Sequence, residues 1–375
     1  MREFDVVIIG AGIAGASLAW RLAGERGVLL LERESQPGYH ATGRSAAMFM
    51  ESYGPPAVRA LTRASRAFYE QPPDGFGNAA LLTPRGVLYL ATHGQEPLLE
   101  EMQHMLAASG SVLERLDADA ALSRVGCLRP EVVHGALYEH GAQDIDVNAL
   151  HQGFLRGMRA RGGELRTGAH VVVAERSSNC WTLRLADGEA VQARAVVDAA
   201  GAWADDVAAL FGAAPIGLVP HRRSAFTFKA PEGLDVSSWP AVVGVDESYY
   251  FKPDAGQLLG SPANADPTLP HDVVPEELDI ALGIHQIEAV TTLTIRRPAS
   301  TWAGLRSFVP DGEMVIGWDA HCPGFFWLAG QGGYGIQSAA GASELASSLL
   351  RGTALPAELV RHGVDPRALA PQRLR

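Results

Sequence analysis

Val6-Val7-Ile8-Ile9-Gly10-Ala11-Gly12-Ile13-Ala14-Gly15-Ala16 is the stretch that decides the fold. A short apolar run opens straight into three spaced glycines, and a second apolar run, Val28 to Leu31, ends in Glu32 about 20 residues further on. Each part has a physical task. Gly10 permits the tight strand-to-helix turn, Gly12 lets a pyrophosphate approach bare backbone, and Gly15 lets the helix pack close on the strand. Glu32 can accept hydrogen bonds from a ribose. The helix N-terminus turns free N–H groups and the positive end of its dipole toward the phosphates. Strand, glycines, helix, second strand and acid stand in the order that a dinucleotide site requires.

Composition bounds the rest. A chain of 375 residues is long for one compact core and implies two domains. With 47% hydrophobic and 19% charged residues it is an ordinary ordered globular chain. A net charge of -11 with no lysine or arginine run argues against nucleic acid as a partner. The three cysteines, Cys127, Cys180 and Cys322, are far apart and odd in number, which suggests neither a disulfide framework nor a metal knuckle. Histidines such as His151 and His221 show no metal-ligand spacing, so no metal is expected. The apolar stretch from Val6 to Trp20 is broken by Gly10, Gly12 and Gly15, and reads as strand and helix rather than signal peptide or membrane span. A cytoplasmic protein without stable membrane insertion is the expectation.

Further along, Gln36 to Ser45 reads as a loop. Helices are predicted after Pro55-Pro56, from Pro97, and from Asn148 to Arg161, the last capped by Gly162-Gly163. Val171 to Val173, Trp181 to Leu185 and Ala195 to Val197 read as strands, with Asp187-Gly188 as a hairpin turn. Asp198 to Trp203 forms a small-residue turn into a helix. Residues 217 to 262 read as antiparallel strands, with a hairpin across Pro253-Asp254-Ala255-Gly256. Pro275-Glu276-Glu277 opens a helix, and Phe325 to Ala329 is a buried strand entering Gly330 to Gly335. Nucleotide-binding elements at both ends, with antiparallel and helical material between, predict an α/β fold (α+β in its two-domain make-up) with discontinuous domains. The expected nucleotide-binding domain takes residues 1–47, 143–216 and 304–375, and the substrate domain 48–142 and 217–303.

Gly10 to Gly15 with Glu32, Gly43-Arg44-Ser45-Ala46, Asp198 to Trp203, and the tail Gly304-Leu305-Arg306 to Gly332-Gly333-Tyr334-Gly335 together resemble the FAD-dependent D-amino acid oxidase superfamily. Within it the chain is most similar to the bacterial D-arginine dehydrogenases, through Pro37 to His40, Arg222 to Phe226, Gly260 to Pro267 and Thr294 to Pro298. The resemblance implies a glutathione-reductase-like FAD-binding Rossmann domain with an antiparallel-sheet substrate domain. It assigns FAD to Gly10, Gly12, Ile13, Ala14, Gly15, Glu32, Arg33, Gly43, Arg44, Ser45, Ala46, Val172, Ala200, Gly201 and Trp203. From the tail it adds Gly304, Arg306, Gly332, Gly333, Tyr334, Gly335, Ile336 and Gln337. Related amine oxidases bind flavin covalently through a cysteine where this chain has Gly304, so non-covalent FAD is expected.

The same resemblance places Arg222 and Arg306 on the substrate carboxylate, with Tyr53 and Tyr249 closing the site and the Gly332 carbonyl accepting the amine. Strand alternation lets only one of Arg222 and Arg223, and one of Tyr249 and Tyr250, face the flavin. The implied reaction is oxidative deamination of a D-amino acid to a 2-oxo acid and ammonia. A hydride passes from Cα to flavin N5, and the final electron acceptor is not identified. Met48 and Val87 stand where the D-arginine enzymes carry a histidine and a glutamate. Removing one partner of a buried ion pair costs roughly 3–5 kcal/mol, so Met48, Met50 and Val87 imply a dehydrogenase shifted toward apolar or weakly polar side chains. Glu51 stays open as another source of charge. His40 is expected to be structural, Trp203 to pack beside the flavin, and Trp302 and Trp327 to be core. The alternatives are an O2-using oxidase of glycine, D-amino acids or secondary amines and, more remotely, an NAD(P)H-dependent flavin hydroxylase or a non-catalytic FAD module.

Overall fold

The computed structural model describes every residue except Asn78, Ser109 and Ser111. Arg2–Ile9 lies in parallel between Val28–Leu31 and Ala190–Asp198. Glu164–Arg166 and Phe325–Ala329 continue the parallel sheet on either side. Val6 to Ile9 and Val28 to Leu31 are buried on both faces, which is why they read as unbroken apolar runs rather than alternating ones. The Ile13–Leu22 helix covers one face and packs in turn on Val147–Ala160 and Ala339–Arg351. Val171–Ser177 and Cys180–Leu185 extend the sheet as an antiparallel arm from Ala190–Asp198.

A second sheet is built around Val219–Phe228, which pairs antiparallel with Ser300–Phe308 and Gln257–Ser261. It continues through Tyr250–Asp254, Ala241–Gly244, Val87–Thr92 and Val133–Glu139. The expected hairpin is present, with Ala255 and Gly256 at φ 45° and 78° supplying the two left-handed residues of its turn. Pairing register sorts the sheet's side chains onto two faces. Phe226, Phe228, Phe251, Val242, Leu88 and Leu90 join one core, together with Ile280 and Ile287 of the Glu277–Val290 helix. Arg223, Ala225, Arg306, Tyr250, Val243 and Tyr89 fall on the opposite face.

That second face meets the glycine-rich tail. Ser307 pairs with Gly332, whose N–H donates to the Ser307 carbonyl at 2.9 Å. A small sheet of Met48–Phe49, Leu82–Pro84 and Gln143–Ile145 stands apart from the two large ones. The last long helix begins at Ala339, later than its sequence suggests, because residues 333–338 are taken up by consecutive turns. Among the described residues no helix is long and apolar enough to cross a membrane.

Candidate active site

The glycine turn is sterically obligatory. Gly10 has φ 101°, and a Cβ there would lie 2.4 Å from the Ala199 carbonyl oxygen. A Cβ on Gly15 would lie 1.9 Å from the Gly10 oxygen, so Gly15 seats the helix on its strand and stays out of the cavity wall. The Glu32 carboxylate is held by the N–H groups of Ala11 and Glu34, each at 3.0 Å, with lone pairs left for a ligand. Thr42 Oγ1 accepts from the Ile13 N–H at 3.0 Å, an anchor of the glycine turn that no sequence motif announced.

These groups open on a cavity of about 460 Å³. Gly10, Gly12, Ile13, Ala14, Glu32, Arg33, Val172, Ala200, Gly201, Trp203 and Gly332 all line it. The Arg33 guanidinium lies 4.4 Å from the Trp203 ring centroid, and His40 packs on the same ring at 4.6 Å. His40 also bonds Glu34 at 2.9 Å, a structural role.

A smaller cavity of about 110 Å³ adjoins the first through Ile13, Thr42, Leu305, Gln331 and Gly332. Arg44, Ser45, Ala46, Gly304, Arg306, Gly333, Gly335 and Ile336 line it as expected. Gly43 is in neither wall; its N–H bonds the Gly38 carbonyl at 2.8 Å and shapes the loop. Tyr334 is buried against Tyr53 and Phe308. Gln337 is also buried, and its amide bonds the Met50 N–H at 3.3 Å, the Tyr53 carbonyl at 3.3 Å and Thr62 Oγ1 at 3.0 Å. It therefore staples the loop that carries Tyr53 instead of reaching a ligand.

Arg306, Arg223, Tyr250 and Trp302 complete the smaller cavity. Arg306 donates to the Tyr53 hydroxyl at 3.2 Å, and Arg223 Nε donates to the Asn264 carbonyl at 2.5 Å. Among the described residues neither guanidinium forms an ion pair. Burial, and then the Arg306 charge, lower the proton affinity of Arg223. Two cations facing one cavity without a counter-charge make a receptor for an anion.

Arg222 and Tyr249 are not part of it. Arg222 is paired in the sheet with Leu305, on the face away from Arg306, and engages Asp279 at 3.0 Å, Asp266 at 3.5 Å and Glu276. Tyr249 is buried in the core of Phe226 and Phe251, and among the described residues its hydroxyl has no hydrogen-bond partner. In both pairs the neighbour one residue on, Arg223 or Tyr250, faces the cavity. The signal was present in Phe226, Phe228 and Phe251, which share parity with Arg222 and Tyr249 and mark the core face.

Trp302 is a second correction. It lines the cavity and donates to the Arg44 carbonyl at 3.0 Å, rather than filling core. Met48, Met50 and Val87 line neither cavity; they cluster with Tyr89, Leu99 and Met102. Glu51 is taken by Arg66 at 2.6 Å. A carboxyl that the sequence did not flag, Glu139, is buried directly across the strand pair from Val87. It accepts from Ser52, whose hydroxyl lies 3.0 Å from Tyr89 Oη, and burial pushes its proton affinity up.

Residues 5–349 match the sequence model of the family described as FAD dependent oxidoreductase. The chain belongs to that family. Its glycine cradle, anchored Glu32 and the cavity of about 460 Å³ that they line fit FAD, the cofactor of that family. L-2-hydroxyglutarate dehydrogenase of Escherichia coli K12 is 26% identical over 61% of this chain and 55% of its own length, so the alignment spans about half of that relative. The fold superposes on glycine oxidase from Geobacillus kaustophilus with TM-score 0.84 at 21% identity, over 97% of this chain and 99% of that one. For iminodiacetate oxidase from Chelativorans sp. BNC1 the TM-score is 0.81 at 22% identity, covering 95% and 98%. Similarity peculiar to D-arginine dehydrogenases is not among these findings.

Proposed function

We propose that this enzyme oxidises the CH–NH bond of α-amino acids, D-amino acids foremost, giving imino acids that water converts to 2-oxo acids and ammonia. One observation carries the reading: Arg223 and Arg306 face the smaller cavity without a protein carboxylate to neutralise them. A planar guanidinium matches a carboxylate through two parallel hydrogen bonds. The anion that completes the site is therefore the substrate's acid group.

Bound FAD supplies the two-electron acceptor. The chain's own residues orient the substrate. Tyr53 fixes the Arg306 guanidinium, and Tyr250 lines the same cavity as both arginines. The Gly332 carbonyl, where the two cavities meet, is the proposed acceptor for the substrate amine. Among the described residues no carboxylate or imidazole lines the smaller cavity, so the proposed route has the amine lose its proton to solvent.

Two guanidiniums also favour a second reading, in which the substrate carries two carboxylates. Glycine oxidase and iminodiacetate oxidase, whose fold the chain shares, name simple and dicarboxylic amino acids as candidates. Electron delivery to an acceptor other than O2 is part of the proposal, and aerobic peroxide formation would assign an oxidase instead. Anaerobic mixing of the FAD-loaded enzyme with D- and L-amino acids, glycine, iminodiacetate and 2-hydroxy acids tests the reading. Loss of flavin absorbance with D-amino acids is expected. Bleaching by 2-hydroxy acids alone, or by none of the panel, overturns it.

A further inference from the structure

The far end of the substrate sheet holds a second cluster of chemistry. His93 follows the Val87–Thr92 strand, His134 lies in the adjacent Val133–Glu139 strand, and Glu96 is the first residue of the Glu96–Ala108 helix. One nitrogen from each histidine and one Glu96 oxygen lie within 4.8 Å of one another. His134 Nδ1 and the Glu96 carboxylate are 3.1 Å apart. Tetrahedral zinc with bonds of about 2.0–2.1 Å separates its donor atoms by about 3.3 Å. The two imidazoles meet edge to face, with centroids 6.0 Å apart at 73°, so their nitrogens can converge.

The backbone that carries these groups is fixed. The strand pairing shifts register between Ala91 and Thr92, a bulge that re-aims the following side chains. His93 N–H donates to the Val132 carbonyl at 3.0 Å, and Gln95 closes the turn on Thr92 through both its N–H and its side chain, each at 3.0 Å.

We propose that His93, Glu96 and His134 are the protein ligands of a divalent transition-metal site, with Zn2+ the best-matched ion and water in the fourth position. The ion clamps the first turn of the Glu96–Ala108 helix to the sheet. Of the helix's own residues Leu99 and Leu106 are buried, with Met102 packed against the same cluster as Leu99. The site is remote in sequence spacing, because residue 134 arrives through strand pairing, and nothing about it depends on the substrate.

Calorimetric titration of untagged, chelator-dialysed, FAD-loaded enzyme with Zn2+ tests the site. One ion per chain is expected, with a rise in Tm on saturation. His134→Ala removes saturable binding, and Glu96→Gln, which preserves shape, weakens it by more than the roughly 10-fold lower bound for losing an outer-shell partner. Flavin content and turnover stay at the wild-type level in both variants. Absence of saturable Zn2+ binding by the wild type, or wild-type affinity in Glu96→Gln, overturns the three-ligand site.

Discussion

The parallel sheet and the second sheet, which bears Arg223, encode their candidate sites in different ways. In the first, function rests on backbone shape. Gly10 and Gly15 are needed because a side chain would strike another backbone segment, and a Cβ on Gly12 would crowd Thr42 Oγ1 at 3.2 Å. In the second, function rests on which side chains alternate toward the cavity, and a one-residue slip exchanges Arg223 for Arg222 and Tyr250 for Tyr249. A steric motif can be read locally. A register is set by pairing partners that lie tens of residues away.

The largest expected effect falls on the first region. Gly15→Val would force a side chain into the Gly10 carbonyl, so purified protein should lack flavin absorbance or fail to fold, as checked by absorbance and circular dichroism. Next comes Arg306→Ala. A hydrogen-bonded charged group is worth about 1.5–3 kcal/mol, which corresponds to roughly 10- to 150-fold in kcat/KM at unchanged flavin content. Arg306→Lys should recover little of this, because an ammonium cannot reproduce the fork.

A buried acid gives a smaller, pH-dependent contrast. Asp198 is fully buried, with one oxygen on the Ala200 N–H at 3.0 Å and the other without a partner among the described residues. Burial pushes its proton affinity well up. The folded protein therefore holds this proton where the unfolded chain has lost it, and stability falls as pH rises above the ordinary aspartate value of about 3.9. Asp198→Asn removes the dependence, so its Tm should exceed that of the wild type at neutral pH and match it near pH 4. Tyr53→Phe should have the smallest effect, raising KM by roughly 5-fold for the loss of about 1 kcal/mol of neutral hydrogen bonding.

Much of the molecule was legible. The glycine turn, the Glu32 strand, the hairpin at Asp254 to Gly256 and the helices after Pro55 and Pro275 follow from local chemistry and are present. What was missed depended on tertiary partners. Gln337 looked like a ligand contact because it closes a glycine-rich motif, yet three bonds to the Met50–Thr62 region claim its amide. Met48 and Val87 occupy positions tied by resemblance to a side-chain pocket, but here they pack with each other. Glu139 is far in sequence from Ser52 and Tyr89; strand pairing sets it near Tyr89, and the turn that carries Ser52 folds onto both. The phenylalanines at 226, 228 and 251 were the one internal clue to register.

The most direct test sets neighbours on one strand against each other. In parallel titrations, a simple carboxylate inhibitor is bound to the FAD-loaded Arg222→Ala and Arg223→Ala variants and followed by perturbation of the flavin spectrum. Arg223→Ala should weaken binding by roughly 10-fold or more, while Arg222→Ala keeps wild-type affinity, its cost falling on stability through the lost pairs with Asp279, Asp266 and Glu276. Weakened binding in Arg222→Ala alone would contradict the account.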